Sequence, residues 1–121
     1  MKKLFILFIV LTITFPVFSQ LKDSHVVGTW DYTVDTGSDV LKGVITLAKN
    51  DGKLTGQVAT NDGYTLPFSK IEIKPENVLY LELQTDSDVI KITVTVENNK
   101  FKGVGSSYQG DAPITGVKRS E

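Results

Sequence analysis

From Gly28 to Arg119, apolar and polar residues alternate at period two almost without a break. Clusters of Asn, Asp, Gly and Pro interrupt the alternation at short intervals. Period two sends successive side chains to opposite faces of a strand, whereas a helix needs a period of 3.6. No stretch after Ser19 shows the helical period, so the chain is predicted to be all-β. Trp30, Tyr32 and Val34 share one face of the first strand. Leu41, Gly43, Ile45 and Leu47 follow on the second, and Leu54, Gly56 and Val58 on the third. Asn50-Asp51-Gly52 and Asn61-Asp62-Gly63 tolerate positive φ and predict tight turns. Tyr64, Leu66 and Phe68 come next on the inward face, then Ile71 and Ile73. Pro67 has no amide proton, which places it at an edge or bulge between two short pieces.

Pro75-Glu76-Asn77 turns into Leu79, Leu81 and Leu83, and Asp86-Ser87-Asp88 into Ile90, Ile92, Val94 and Val96. Asn98-Asn99 leads to Phe101, Gly103 and Gly105, and Gly110-Asp111 to a last strand ending at Arg119. About eight short strands in sequence predict an antiparallel up-and-down meander, closed or nearly closed into a barrel, with a β-sandwich as the alternative. Inward glycines at 43, 56, 103 and 116 either let strands bend for closure or relieve crowding in a sandwich. Leu47, Leu54 and Gly56 are echoed by Val94, Phe101 and Gly103 further along. Either an old duplication or the shared needs of two hairpins accounts for the echo.

The N-terminus has a different character. Lys2 and Lys3 precede an apolar run from Leu4 to Phe18, and Val17 and Ser19 are small residues where a signal peptidase reads. Residues 1–19 are expected to be an export signal, and 20–121 a single domain. The run is shorter than the ~20 residues of a membrane-spanning helix. There is no cysteine, which excludes disulfides, thiolate metal sites and lipid attachment through a cysteine. The expected location is therefore the periplasm or the cell exterior of a bacterium, without a lipid anchor. Removing Lys2 and Lys3 from 13 basic and 14 acidic residues leaves 11 against 14, a net charge of −3. Adjacent basic residues in the mature chain occur only at Lys118-Arg119, which is not the basic footprint of a nucleic-acid binder.

Gly28-Thr29-Trp30 on the first strand and Arg119 at the end of the last resemble the signature of the lipocalin and avidin superfamily of calycin barrels. Asp51-Gly52-Lys53-Leu54-Thr55-Gly56 resembles the hairpin that follows in avidin-like barrels. The resemblance implies a small secreted barrel whose closed end is crossed by Trp30 and covered by Arg119. A guanidinium on an indole face is a favourable pairing. Two features depart from the family. Trp30 is the sole tryptophan, whereas avidins wall their ligand with several, and the tyrosine of the second lipocalin motif is missing beside Asp86. No ligand is carried over.

No catalytic set emerges from the residues. His25 is the one histidine, in the lead-in before Gly28 and far from any carboxylate cluster. The loops Asp35–Asp39 and Asp86–Asp88 lack the oxygen density that calcium needs. No metal or cofactor is expected. The candidate ligand-binding residues are four tyrosines. Tyr32 and Tyr64 are placed on the inward face, where their hydroxyls would meet a ligand at an open mouth. Tyr80 and Tyr108 are placed on the outer face, where an exposed ring can stack on a sugar or partner. The leading expectation is a non-enzymatic binder of a small apolar ligand or a partner protein. A carbohydrate- or surface-binding module is the alternative, and a small carboxylate-dependent hydrolase comes last. Any lumen cavity is expected to be small, which would move function to the rim loops or outer face.

Overall fold

A computed structural model describes residues 21–120, and the export signal expected over residues 1–19 lies outside them. A one-turn helix, α1 (Asp23–Val26), precedes eight strands: β1 (Gly28–Asp35), β2 (Val40–Asn50), β3 (Lys53–Thr60), β4 (Thr65–Lys74), β5 (Val78–Gln84), β6 (Val89–Glu97), β7 (Lys100–Ser107) and β8 (Gly110–Lys118). Each strand pairs antiparallel with the next and β8 returns to β1, which closes the barrel. The sandwich alternative is thereby excluded. The helix corrects the expectation of none after Ser19: four residues are too few to display a 3.6-residue period.

The alternation expected from the sequence is the one that fills the barrel. Trp30, Ile45, Leu47, Leu79, Leu81, Val94 and Val96 are almost wholly buried, joined by Phe101 and Ile114. The outer wall is polar, with Lys70, Glu72, Lys74, Glu82 and Lys91 on β4–β6. Strands run from 7 to 11 residues, the longest being β2 and β4. This apolar-in, polar-out arrangement is the reverse of that in an outer-membrane barrel.

Turn chemistry sets the register. Asp51 and Gly52 both take positive φ in the two-residue turn between Asn50 and Lys53, a geometry that suits the twist of paired strands, and Glu76 and Asn77 do so in the three-residue turn between Lys74 and Val78. The β3–β4 seam is short, pairing Gln57 with Pro67, Val58 with Leu66 and Ala59 with Thr65. Beyond it β4 continues as one strand rather than two pieces. Its pairing with β5 shifts between Phe68 and Lys70, so Ser69 forms the bulge that returns Ile71 and Ile73 to the inward face.

The sequence echo has a structural counterpart. Leu47 pairs with Gly56 across β2–β3, and Val94 pairs with Gly103 across β6–β7. The β1–β2 and β5–β6 turns also match, as Thr36-Gly37-Ser38-Asp39 and Thr85-Asp86-Ser87-Asp88. In each, the threonine amide and hydroxyl donate to the carbonyl of the aspartate three residues along.

Candidate functional site

The two ends of the barrel are built differently. At the end where β1 begins, Leu21 and Val26 of the α1 segment are buried in the core. Trp30 lies beneath them, fully buried, and its Nε1 donates to the Val26 carbonyl at 2.9 Å. Phe101 packs at a tilt against the indole, with ring centroids 5.2 Å apart. A salt bridge from Lys49 to Asp23 at 3.0 Å ties the helix to β2. This end is plugged.

The signature residues sit here. Gly28 has a φ of 141°, and a Cβ on it would meet the Lys118 stem at 2.6 Å. That gap lets Lys118 bring its Nζ to 5.8 Å from the Trp30 ring centroid. The cation seen over the indole is thus Lys118. The neighbouring Arg119 donates its backbone amide to Thr29 and turns its guanidinium to Asp31, with Nη2–Oδ1 at 2.8 Å and Nε–Oδ2 at 3.0 Å. The bond and charge of Arg119 hold the Asp31 carboxyl below its ordinary pKa. His25, also here, accepts from the Lys22 amide through Nδ1, a local helix contact and no catalytic pairing.

The opposite end carries the four loops that follow β1, β3, β5 and β7, and it is not plugged by any described segment. The inward-facing apolar residues in its outermost layer stay accessible. Leu41 is 49% exposed, and Val34, Leu66 and Ile90 are half-buried. Small residues occupy β7 and β8 at this end. Gly105 pairs with Ala112, and a Cβ on Gly105 would approach nothing closer than 4.0 Å. The deeper glycines differ: Gly103 is pressed against the Thr93 carbonyl and Gly116 against the Phe101 ring. The lower lumen is therefore closely packed, while the upper layer, called the cup below, leaves its apolar side chains within reach of solvent.

The tyrosines divide. Tyr32 faces inward and is 8% exposed. Its ring lies across Gly43, its cross-strand neighbour. Its hydroxyl has no hydrogen-bond partner among the described residues, and burial pushes its pKa up, so it is a neutral donor on the side of the cup. Tyr64, expected inward, is instead 68% exposed. It precedes β4, and its amide and carbonyl are both held by Thr60, so its ring projects from the loop. Tyr80 is on the outer wall as expected, but it is half-buried and engaged. Its hydroxyl donates to Glu82 Oε2 at 2.5 Å, and Lys74 Nζ lies 4.5 Å from its ring centroid. That hydrogen bond, with the charges of Glu82 and Glu72, pushes its pKa up to about 12. Its ring face is thereby covered. Tyr108 is 73% exposed at the β7–β8 turn, its amide held by Asp88 Oδ2. Beside it an open groove of about 650 Å³ runs between Asp86, Lys91 and Ser106.

Sequence reasoning missed the charge of this rim. Asp35, Asp39, Asp62, Asp86, Asp88 and Asp111 all lie in its loops or at the strand ends beside them. The ion pairs among the described residues are elsewhere: Lys49–Asp23, Lys70–Glu72 and Arg119–Asp31. No three histidine, aspartate or glutamate side chains among the described residues converge as a metal site, so the six carboxylates are spread around the mouth.

No family model matches the chain, and no curated protein matches it in sequence. Solved structures do match. A redesigned β-barrel superposes with a TM-score of 0.62 at 18% identity, over 82% of this chain and 95% of that one. A second redesigned barrel, bound to DFHBI, gives 0.59 at 16% identity over 80% and 97%. A de novo fluorescence-activating β-barrel gives 0.58 at 13% identity over 80% and 96%. At these identities the likeness is one of fold: an eight-stranded antiparallel meander barrel.

Proposed function

We propose that this protein is a non-enzymatic binding barrel that takes a small apolar molecule, or the apolar end of a larger one, through its open mouth. The observation that carries this reading is the contrast between the ends. One is sealed by α1, Trp30 and Lys118, while the other leaves Leu41, Val34, Leu66 and Ile90 in reach of solvent above an unpartnered Tyr32 hydroxyl. A barrel that only had to be stable would gain by burying those side chains, at about 25 cal/mol per Å² of apolar surface. Apolar walls with few polar groups are the usual composition of small-molecule sites. A barrel of similar fold is known bound to DFHBI, which supports the reading. The N-terminal sequence supports action after export, in the periplasm or outside the cell. Titration with a fluorescent hydrophobic probe tests it. Saturable binding at one site per chain, lost in Gly105→Leu with the fold intact, is expected. Binding unaffected by that substitution removes the cup from consideration.

The second reading is a glycan- or surface-binding module. It rests on Tyr108, whose exposed ring stands beside the polar groove. Glycan-array binding lost in Tyr108→Ala would favour it over the cup.

A further inference from the structure

Resting on the cup reading, we infer that the ligand is an amphiphilic cation: an apolar body seated in the mouth, with a positively charged group held among the rim carboxylates. Two independent observations meet at this end. The first is Tyr32, a residue more than nine-tenths buried, whose unpartnered hydroxyl lies against Gly43 inside the lumen. A buried polar group without a partner is unfavourable in the empty protein, so its position is explained by a ligand polar atom that completes it. The second is the aspartate rim. None of Asp35, Asp39, Asp62, Asp86, Asp88 and Asp111 joins an ion pair among the described residues.

The six carboxylates do two kinds of work. Asp35 accepts from the Gly37 amide, Asp39 from the Val40 amide, and Asp88 from Val89 and Tyr108. Those three hold the turns. The side chains of Asp62, Asp86 and Asp111 make no hydrogen bond or ion pair among the described residues and are exposed. Two lysines, Lys42 and Lys91, lie two residues inside β2 and β6, and Lys91 shares the outer groove with Asp86 and Asp88. The mouth therefore presents excess negative charge above an apolar floor. Carboxylates of one sign around a low-dielectric concavity focus the field and draw in counter-charged ligands. A neutral apolar molecule would use the floor alone, and an anion would be repelled on entry.

Three probes sharing a dansyl fluorophore test this, one with an alkylammonium tail, one with a neutral alkyl tail and one with a carboxylate tail. The ammonium probe is expected to bind about tenfold tighter than the neutral one at low ionic strength. The advantage should vanish near 1 M salt, where the screening length is about 3 Å. Asp62→Asn, Asp86→Asn and Asp111→Asn together should cut the advantage at least threefold and leave neutral-probe binding unchanged, because these three hold no turn. Gly105→Leu should abolish binding of the ammonium and neutral probes. Equal affinity for those two probes, or a preference undiminished by the triple substitution, overturns the cation assignment while the cup reading stands. Ammonium binding that persists in Gly105→Leu places the cation on the outer surface and also overturns it. Failure of all three probes to bind saturably refutes the cup itself.

Discussion

Gly103 and Gly105 stand two residues apart on the same face of β7, yet a methyl group means opposite things at each. At Gly103 it would drive into the Thr93 carbonyl and the Val94 Cα, backbone atoms that cannot yield cheaply. Gly103→Ala should lose about 1–3 kcal/mol of stability. At Gly105 the nearest atoms are 4.0 Å away, and Gly105→Ala should be neutral or stabilising by about 0.4–1 kcal/mol through the unfolded chain. Urea denaturation of both variants checks the contrast, and equal losses would mean that the upper lumen is as full as the lower. Tyr32→Phe removes a buried hydroxyl that has no partner, so the empty protein should hold or gain stability while probe affinity falls. Tyr80 adds a pH signature. Its phenol is raised to about 12 by Glu82, burial and the nearby carboxylates, so the folded state keeps a proton that the unfolded chain releases near pH 10. Its contribution is complete below about pH 10 and is lost as the pH climbs toward 12. Alkaline difference absorbance should show a late phenol step that Tyr80→Phe removes.

At the scale of elements, α1 and the β3–β4 seam set what is firm and what is loose. Trp30 bonds the α1 carbonyl and packs on Phe101, so Trp30→Ala should cost about 3–5 kcal/mol and release the plug. The seam pairs at only three positions, one of them Pro67, which has no N–H to give. Amides of β4 that face β3 beyond Phe68 should exchange with deuterium faster than those of the fully registered β6–β7 pair. Equal protection along both seams would contradict this. The strands, their order and their turns were legible because one face of each is apolar and each turn needs residues that accept positive φ. The elements that were not legible lack such a pattern. The helix is one turn long. Tyr64 was read inward by extending the alternation past Gly63, but a loop residue is not bound by the pleat. Tyr80 was placed on the correct face, yet Lys74 and Glu82 reach it only through a register with β4 and a local side-chain geometry that sequence does not specify. The rim charge was spelled out as Asp after Asp in the turns, but turn chemistry alone explains an aspartate. Only the topology gathers them at one mouth.

The whole molecule is a tube with a dense, sealed end and an open, acidic one, and its single tryptophan lies in the sealed end. Gly56, an inviting place to block a lumen from sequence alone, belongs to the dense half. A side chain there would meet Leu47 and the Thr46 carbonyl at 2.6 Å, so the blocking substitution has to be made at Gly105. This polarity makes stability and ligand response separable. A ligand that binds only the folded barrel should raise its stability by about 2.7 kcal/mol at a free concentration one hundred times its Kd. Because that ligand would sit above Tyr32, the emission maximum of the buried Trp30 should not move on binding, although the thermal midpoint rises. Lys118→Ala, which acts at the sealed end, should change Trp30 emission and leave probe affinity as it was. Differential scanning calorimetry with intrinsic fluorescence on the same samples measures both. A shift of the Trp30 maximum on binding would place the ligand at the plugged end, and the division of the barrel into a structural half and a binding half would be wrong.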